Sequence, residues 1–562
     1  EPHAVRNVIA DHLGMLRSNV RVMTPDTGGG FGTKVNVYPE EVLIGWISRH
    51  LRRPVKWVET RSEHMLSATQ ERVQIHDIEM GFDDDGRLLG YKDLFLHDMG
   101  AYAPRGGAVP INTVSCITGP YFIPAFRFEF KAVYTNMVTV SAYRGAGQPQ
   151  GVFVTERIMD RIAQYLGKDP AEVRKSNFIA PDMLPYNTGI SNLTGGFVEY
   201  DSGDFRAIFD GALEVASYDS WRKMQKEARS QGRLLGIGMA YYVELTGRGP
   251  WEGGGVRMEP DGRVTVYSGA PSQGQGHATT FAQIVADELG IKFERVQVVQ
   301  GDTAAIKHGI GTFASRVGVL VGNAVRSAAI DVGDKLLRVA AEQMQIHRDD
   351  LMIEDGRVVR KDSPNQFVSF EEVVRRANRG LNPDEDPGIE SVHYFKAPKN
   401  TYASGSHLAL VEVNPQTGEV EILDYVVSHD CGRMINPMVV EGQIIGGLAC
   451  GIGNALLEEH AYNEDGQLVT GSFMDYAMPR ARNMPSVRMV HLEFKTERNP
   501  LSVKGIGEAG TIPAAAAIAG AVEDALLPLG VRVSEHPLTP QRVWRLVARA
   551  DGSGRLPTQD AA

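Results

Sequence analysis

Cysteine is scarce: Cys116, Cys431 and Cys450 are the whole complement, and they form no CxxC pair and no even-numbered framework. A disulfide scaffold is thereby excluded, and a reducing, cytoplasmic setting is expected. The thiols are also too few to hold an iron–sulfur cluster within the chain. No apolar run reaches about 18 residues, so no transmembrane helix is expected, and no signal peptide is read at the start. Basic residues are outnumbered, with 58 Lys and Arg against 69 Asp and Glu, and the net charge of −11 argues against nucleic acid as the main partner.

What the chain has is length and glycine. At 562 residues it exceeds one ordinary core, so two or more domains are expected. Its 61 glycines exceed the usual share of about 7% and gather in clusters between periodic segments. The chain opens on Glu1 rather than Met and runs directly into a helical pattern, His3 to Leu13. That reads as a processed product or one piece of a longer polypeptide. A boundary is placed near Gly232, giving units 1–232 and 233–562.

Strands are predicted at Asn19 to Met23, Pro54 to Glu59, Phe128 to Val140, Val264 to Ser268 and Val296 to Gln300. Val73 to Met80 and Leu88 to His97 read as a hairpin around Asp83-Asp84-Asp85-Gly86. Residues 104 to 124, rich in Gly, Pro and small side chains, read as a long functional loop. Helices are expected from Gln150 to Leu166, Thr279 to Leu289, Gly318 to Met344 and Pro513 to Leu527. The polar stretch 377–400, with the run Asp384-Glu385-Asp386, reads as a linker with a solvated face.

One unit recurs: a strand, a glycine-rich or polar loop, then a helix N-terminus. Helix starts follow strands in any α/β protein, but bare glycine lets a ligand approach the backbone. The unpaired N–H groups and the partial positive charge of each helix start attract anions. Gly28-Gly29-Gly30-Phe31-Gly32 resembles a P-loop but ends Thr33-Lys34-Val35 instead of Gly-Lys-Ser/Thr. Gly505-Ile506-Gly507-Glu508-Ala509-Gly510 spells a dinucleotide fingerprint, and a Rossmann-type dehydrogenase is the reading it invites. Asn499-Pro500-Leu501-Ser502 is no buried strand, however, and a carboxylate inside the loop would repel phosphate. Glu508 therefore reads either as a helix-start carboxylate worth about 0.3–1 kcal/mol or as a catalytic base. The residues alone support a two-domain α/β protein that binds a bulky, phosphate-bearing cofactor.

The blocks Gly28 to Gly32, Ala142-Tyr143-Arg144-Gly145-Ala146-Gly147, Gly274-Gln275-Gly276-His277, Gly311-Thr312 through Ser315-Arg316, Glu441-Gly442-Gln443 and Gly505 to Glu508 stand in one order. In that order the chain resembles the molybdopterin-binding large subunit of the molybdenum hydroxylases, the xanthine dehydrogenase/aldehyde oxidase family. The resemblance implies two elongated molybdopterin-binding domains of mixed α/β (α+β) class with the cofactor at their interface. The metal would be held by a pterin dithiolene with no protein ligand, and the pterin would carry a cytosine dinucleotide. Gly30, Phe31 and Gly32 would line the oxo side of the metal, and Arg144, Gly145 and Ala146 would border its ligands. Gly274, Gln275, Gly276 and His277 would hold the cofactor. Thr312, Ser315, Arg316 and Gln443 would contact the pterin or its tail, with Gly507 beside Glu508, the family's base.

The resemblance also implies an electron-poor carbon of an N-heterocycle or aldehyde as the site of hydroxylation. Electrons would leave through a [2Fe–2S] small subunit and an FAD-binding medium subunit, in a dimer of heteromers. No cysteine stands in the Arg144 loop, which speaks against carbon monoxide as substrate. Val35 and Ala146 replace a glutamate and a phenylalanine of xanthine-oxidising members, which speaks against xanthine. The family's N-terminal domain has no match here, so it is expected either as a separate chain or as a part removed. A non-catalytic structural or maturation component is the rival that this difference keeps open.

Overall fold

Leu234–Thr246, LLGIGMAYYVELT, is an almost unbroken apolar run, and such a run suits a strand covered on both faces. The computed structural model describes residues 1–102, 105–379 and 387–550, and this strand is almost wholly buried in it. It pairs antiparallel with Thr401–Val413, which pairs antiparallel with Val420–Asp430; that strand in turn pairs parallel with Val487–Leu492. On one face lies the alanine-rich helix Ala514–Leu526. Its approach depends on two strand glycines. A Cβ on Gly238 would stand 2.0 Å from the Ala517 carbonyl oxygen, and one on Gly236 would stand 1.9 Å from that of Ala521. The helix Phe205–Ala216 covers the opposite face.

A second four-stranded sheet runs in the order Glu390–Phe395, Glu252–Met258, Val264–Ser268, Val296–Gln300. The helices His277–Leu289 and Val317–Met344 pack beside it. Towards the N-terminus, Gln74–Phe82 and Leu88–Asp98 form the expected hairpin with Gln74 opposite His97, and the second strand runs parallel to Phe126–Val133. Helix Gln148–Leu166 joins this region to Ala514–Leu526. The main apolar core accordingly includes Leu88, Val152 and Ile162 alongside Ala240, Ile444 and Ile518.

Several local expectations give way. Asn19 to Met23 makes no strand: Arg17–Asn19 is a 3₁₀ turn, and Met23 bridges only Asp302, because the chain turns at Gly301. Pro54 to Glu59 forms no strand. Within the supposed loop, Ala108–Cys116 is a helix with Pro110 in its first turn, where a missing N–H costs nothing. Glu390–Phe395 turns part of the supposed linker into a paired strand, while Asp384-Glu385-Asp386 lies outside the described residues. Pro437–Leu456 is long and apolar enough by length and composition alone to cross a membrane. In this fold its Ile444, Leu448 and Ile452 are fully buried in the main core.

Candidate active site

Loops from distant parts of the chain converge on a cavity of about 690 Å³, within the roughly 300–1,000 Å³ usual for ligand sites. Its walls include Gly28 to Gly32, Ala142 to Arg144, Gln273 to Gln275, Thr312 to Gly318, Asn436 and Gln443, and Lys504 to Glu508. Close backbone contact holds the loops together. A Cβ on Gly32 would lie 2.2 Å from Ala142 O, and one on Gly505 would lie 1.9 Å from Ser315 O. Other glycines open inward: Gly28, Gly274, Gly318 and Gly442 line the cavity, and a Cβ on any of them would meet nothing within 4 Å. Phe31, Ala146, Ala314 and Ser315 all adopt positive φ, between 45° and 52°. Such backbone costs roughly 1–3 kcal/mol per residue and collects at functional sites.

Arg144 ties three of these walls into one frame. Its Nε donates to Gly507 O at 2.7 Å, and its Nη2 donates to Gln443 O at 3.0 Å and to Gln443 Oε1 at 3.2 Å. Its backbone N–H donates to Phe31 O at 2.7 Å, and its guanidinium lies 5.7 Å from the centre of the Phe31 ring. Glu508 is thus fixed through Gly507 while its own carboxylate opens on the cavity. No side chain among the described residues hydrogen-bonds or ion-pairs with it. Burial pushes its pKa above the ordinary carboxylate value; the Gly145 backbone N–H and Arg144 oppose that shift, and Glu71 adds to it. A raised, unclamped carboxylate facing a cavity is suited to accepting a proton near neutral pH.

The other expected contacts divide into those free to meet a ligand and those already engaged. His277 Nδ1 and Ser315 Oγ are buried without a partner. His277 stacks on Phe281 at 5.4 Å, and burial lowers its pKa to about 4, so it is neutral at physiological pH. Gly30 abuts the Gln273 amide, which a Cβ would meet at 2.7 Å. The side chain of Gln275 folds onto its own loop and accepts from Gln273 N at 2.6 Å. Thr312 donates its hydroxyl to Pro271 O. Arg316, fully buried, spends its guanidinium on Glu252 at 2.6 Å and on the carbonyls of Arg248, Gly311 and Trp251 at 2.7–2.8 Å. Gly276 caps the helix that begins at His277 and packs on Val439, and Gly145 packs on the Pro149 ring.

Sequence reasoning assigned no individual role to Glu244, Arg248, Asn112 or Lys504. Glu244 is fully buried with both carboxylate oxygens unpartnered. Its pKa is pushed far up, first by burial and then by the charge of Glu508, with Arg144 opposing. The signal was available: it is the one charged residue in an otherwise uncharged 13-residue strand. Lys504 lines the cavity and pairs with the buried Asp430 carboxylate. The Rossmann reading fails on geometry as well, since Gly505 lies against Ser315, and a Cβ on Gly510 would stand 2.2 Å from Ile444 O. Those glycines serve loop packing and do not cradle phosphate.

Sequence comparison matches residues 1–178 and 211–485 to families described as "Molybdopterin cofactor-binding domain". The chain is 38% identical over 545 residues to the 6-hydroxypseudooxynicotine dehydrogenase complex subunit gamma of Paenarthrobacter nicotinovorans, covering 96% of this chain and 68% of that protein. It is 34% identical to the carbon monoxide dehydrogenase large chain of Hydrogenophaga pseudoflava, covering 97% and 69%. The structure superposes on quinoline 2-oxidoreductase from Pseudomonas putida 86 with a TM-score of 0.90 at 36% identity, covering 97% of this chain and 71% of that one.

Proposed function

Because the chain belongs to the molybdenum hydroxylase family as a molybdopterin-binding large subunit, we propose that it hydroxylates an electron-poor carbon of an N-heterocycle or an aldehyde, with Glu508 as the base. The chain is a molybdenum-dependent oxidoreductase; the substrate class and the residue roles are our reading. The observation that carries it is the unclamped Glu508 carboxylate opening on a glycine-walled cavity.

The residues present fit a molybdopterin group. Four glycines open onto the cavity, and the unpartnered His277 Nδ1 and Ser315 Oγ offer polar contacts to its organic part. Three helix starts that line the cavity, at His277, Arg316 and Asn436, bring N–H donors suited to phosphates. When bound, the group supplies a redox-active molybdenum centre that accepts the electrons removed from the substrate carbon. Gly30 to Gly32 and Arg144 to Ala146 border it, and Gly274 to His277 with Thr312 and Ser315 hold it. Arg316 and Gln443 act one step back, by fixing the Thr312 loop and Arg144. Glu508 takes a proton at its carboxylate from the oxygen nucleophile, while Arg144 keeps it aimed through Gly507.

We assign the cytosine dinucleotide form to the pterin, with 1–232 and 233–562 as the two halves that hold it. Electron carriers on partner subunits, a [2Fe–2S] chain and an FAD chain, complete the proposed cytoplasmic assembly, a dimer of heteromers with a further chain or segment bearing the N-terminal domain. The Arg144 loop carries no cysteine, so carbon monoxide is not the proposed substrate.

Metal and nucleotide analysis tests this reading directly. Molybdenum with CMP released on acid hydrolysis is expected, and bound NAD or FAD without molybdenum would refute it. Glu508→Gln should retain both while losing turnover by about 10²–10⁴-fold. Near-normal turnover in that variant would remove Glu508 from the chemistry.

A further inference from the structure

The Arg248 guanidinium, one of several that line the cavity, has no part in the steps above. Arg248 lies just beyond the central strand, between Gly247 (φ +68°) and Gly249 (φ +117°), and lines the cavity with Asn112, Ala146, Leu193 and Glu508. Its turn is fixed, because its carbonyl accepts from Arg316 Nε at 2.8 Å. Its side chain is steered too: Nη1 donates to Asn112 Oδ1 at 2.9 Å, and Asn112 Nδ2 donates to Ala146 O at 3.0 Å.

No carboxylate among the described residues lies within ion-pair distance of Arg248. In this respect it differs from the buried Arg316, which has Glu252, and from Arg157 and Arg174, which have Glu523 and Glu156. Arg144, also without a carboxylate, is occupied by Gly507 and Gln443. Burial disfavours the Arg248 charge, and the distant pull of Glu508 is what opposes that effect. A half-buried cation whose single side-chain bond goes to a neutral amide leaves most of its five-donor fork facing the cavity. That fork matches a carboxylate in geometry and charge, and does so bidentately. Glu508 makes no contact with it, and as the base it must remain free.

We propose that Arg248, oriented by Asn112, is a specificity residue that binds a carboxylate on the substrate, so that the substrate is an aromatic N-heterocycle bearing an acid group. This rests on the cavity being the active site. Arg248 then holds the anionic end and Glu508 acts at the ring carbon. A phosphate of the cofactor is the other anion with matching chemistry, and the test separates the two.

The purified holoenzyme, with wild-type and Arg248→Gln compared, is titrated calorimetrically with pyridine-3-carboxylate and with its amide, and CMP content is measured in parallel. Expected are a 10- to 100-fold weaker carboxylate Kd in the variant, the value of a charge-assisted bond, an unchanged amide Kd, and unchanged CMP. Arg248→Lys, which keeps the charge without the fork, should fall in between. Asn112→Leu should weaken the carboxylate several-fold and leave CMP intact. The proposal is overturned if the carboxylate Kd does not move, if acid and amide weaken alike, or if Arg248→Gln loses CMP, which would put the arginine on the cofactor. Absence of molybdenum and CMP from the wild type would instead overturn the hydroxylase reading, which the titration does not address.

Discussion

Replacing Arg316 with methionine should release the loop that forms one wall of the cavity. Both members of the Arg316–Glu252 pair have fully buried side chains, and they lie 2.6 Å apart. The guanidinium also holds three carbonyls, while the carboxylate accepts from Ile310 N and Gly311 N at 3.0 Å. Removing one member of a buried, hydrogen-bonded pair costs about 3–5 kcal/mol, because the survivor stays charged and desolvated. At about 1.4 kcal/mol per factor of ten, local opening of the 309–316 segment should become roughly 10²–10⁴ times more frequent. Hydrogen–deuterium exchange followed by mass spectrometry reads this in peptides carrying the Ile310 and Gly311 amides, with CMP retention measured alongside. Adding Glu252→Gln to Arg316→Met leaves a neutral amide in place of a bare carboxylate. The double variant should therefore be less perturbed than the sum of the single variants, with a coupling of about 0.5–3 kcal/mol. Exchange within a factor of about three of wild type, or strict additivity, would refute the idea that this pair holds the loop.

Glu244→Gln addresses the second buried carboxyl. Its folded-state pKa is raised far above the unfolded value, so the folded chain binds the proton more tightly. That contribution is complete below the unfolded pKa and is lost as pH rises through the folded one. The variant should therefore gain stability over wild type as pH rises from the ordinary carboxylate range into neutrality, and the gap should close again in acid; parallel melting-temperature profiles would contradict this. Gly238→Ala should lower the melting temperature by forcing Ala514–Leu526 off the central sheet, at a cost of about 1–3 kcal/mol or more. Gly107→Ala, whose Cβ meets nothing within 4 Å at an exposed site with helical φ, should stay within about 0.5 kcal/mol. Equal effects of the two changes would undo the packing argument.

The order of the glycine loops was legible because each is a local code. Gly32 and Gly505 are needed where another backbone passes within the reach of a Cβ, and Gly274 where the wall must stay bare. Long helices were legible for the same reason, as Gln148–Leu166 and Val317–Met344 illustrate. Asn19 to Met23 and Pro54 to Glu59 were misread because extended propensity does not supply a ladder partner. Asn112, Arg248 and Glu244 received no individual role for a related reason. Arg248 meets Asn112 across 136 residues, and Glu244 feels Glu508 only once strand and loop are packed together. Nothing in their immediate neighbours encodes those pairings, although a lone acid in an apolar strand was a warning.

The arrangement around Glu508 also accounts for how a carboxylate next to arginine can serve as a base. A guanidinium in direct contact lowers a carboxylate pKa by about 1–3 units and would leave a weak proton acceptor. Arg144 has the charge to do this, but its donors go to Gly507 O, Gln443 O and Gln443 Oε1. It fixes the backbone one residue before the base and acts on the carboxylate itself only through space. Burial is then the largest influence and holds the pKa above the ordinary value, which brings the group closer to neutrality, where a base takes up a proton most effectively. Substituting lysine for Arg144 would keep the charge and lose the planar fork that reaches both Gly507 and Gln443. A flexible ammonium at that position would be free to pair with Glu508, so the same net charge would depress the base instead of aiming it.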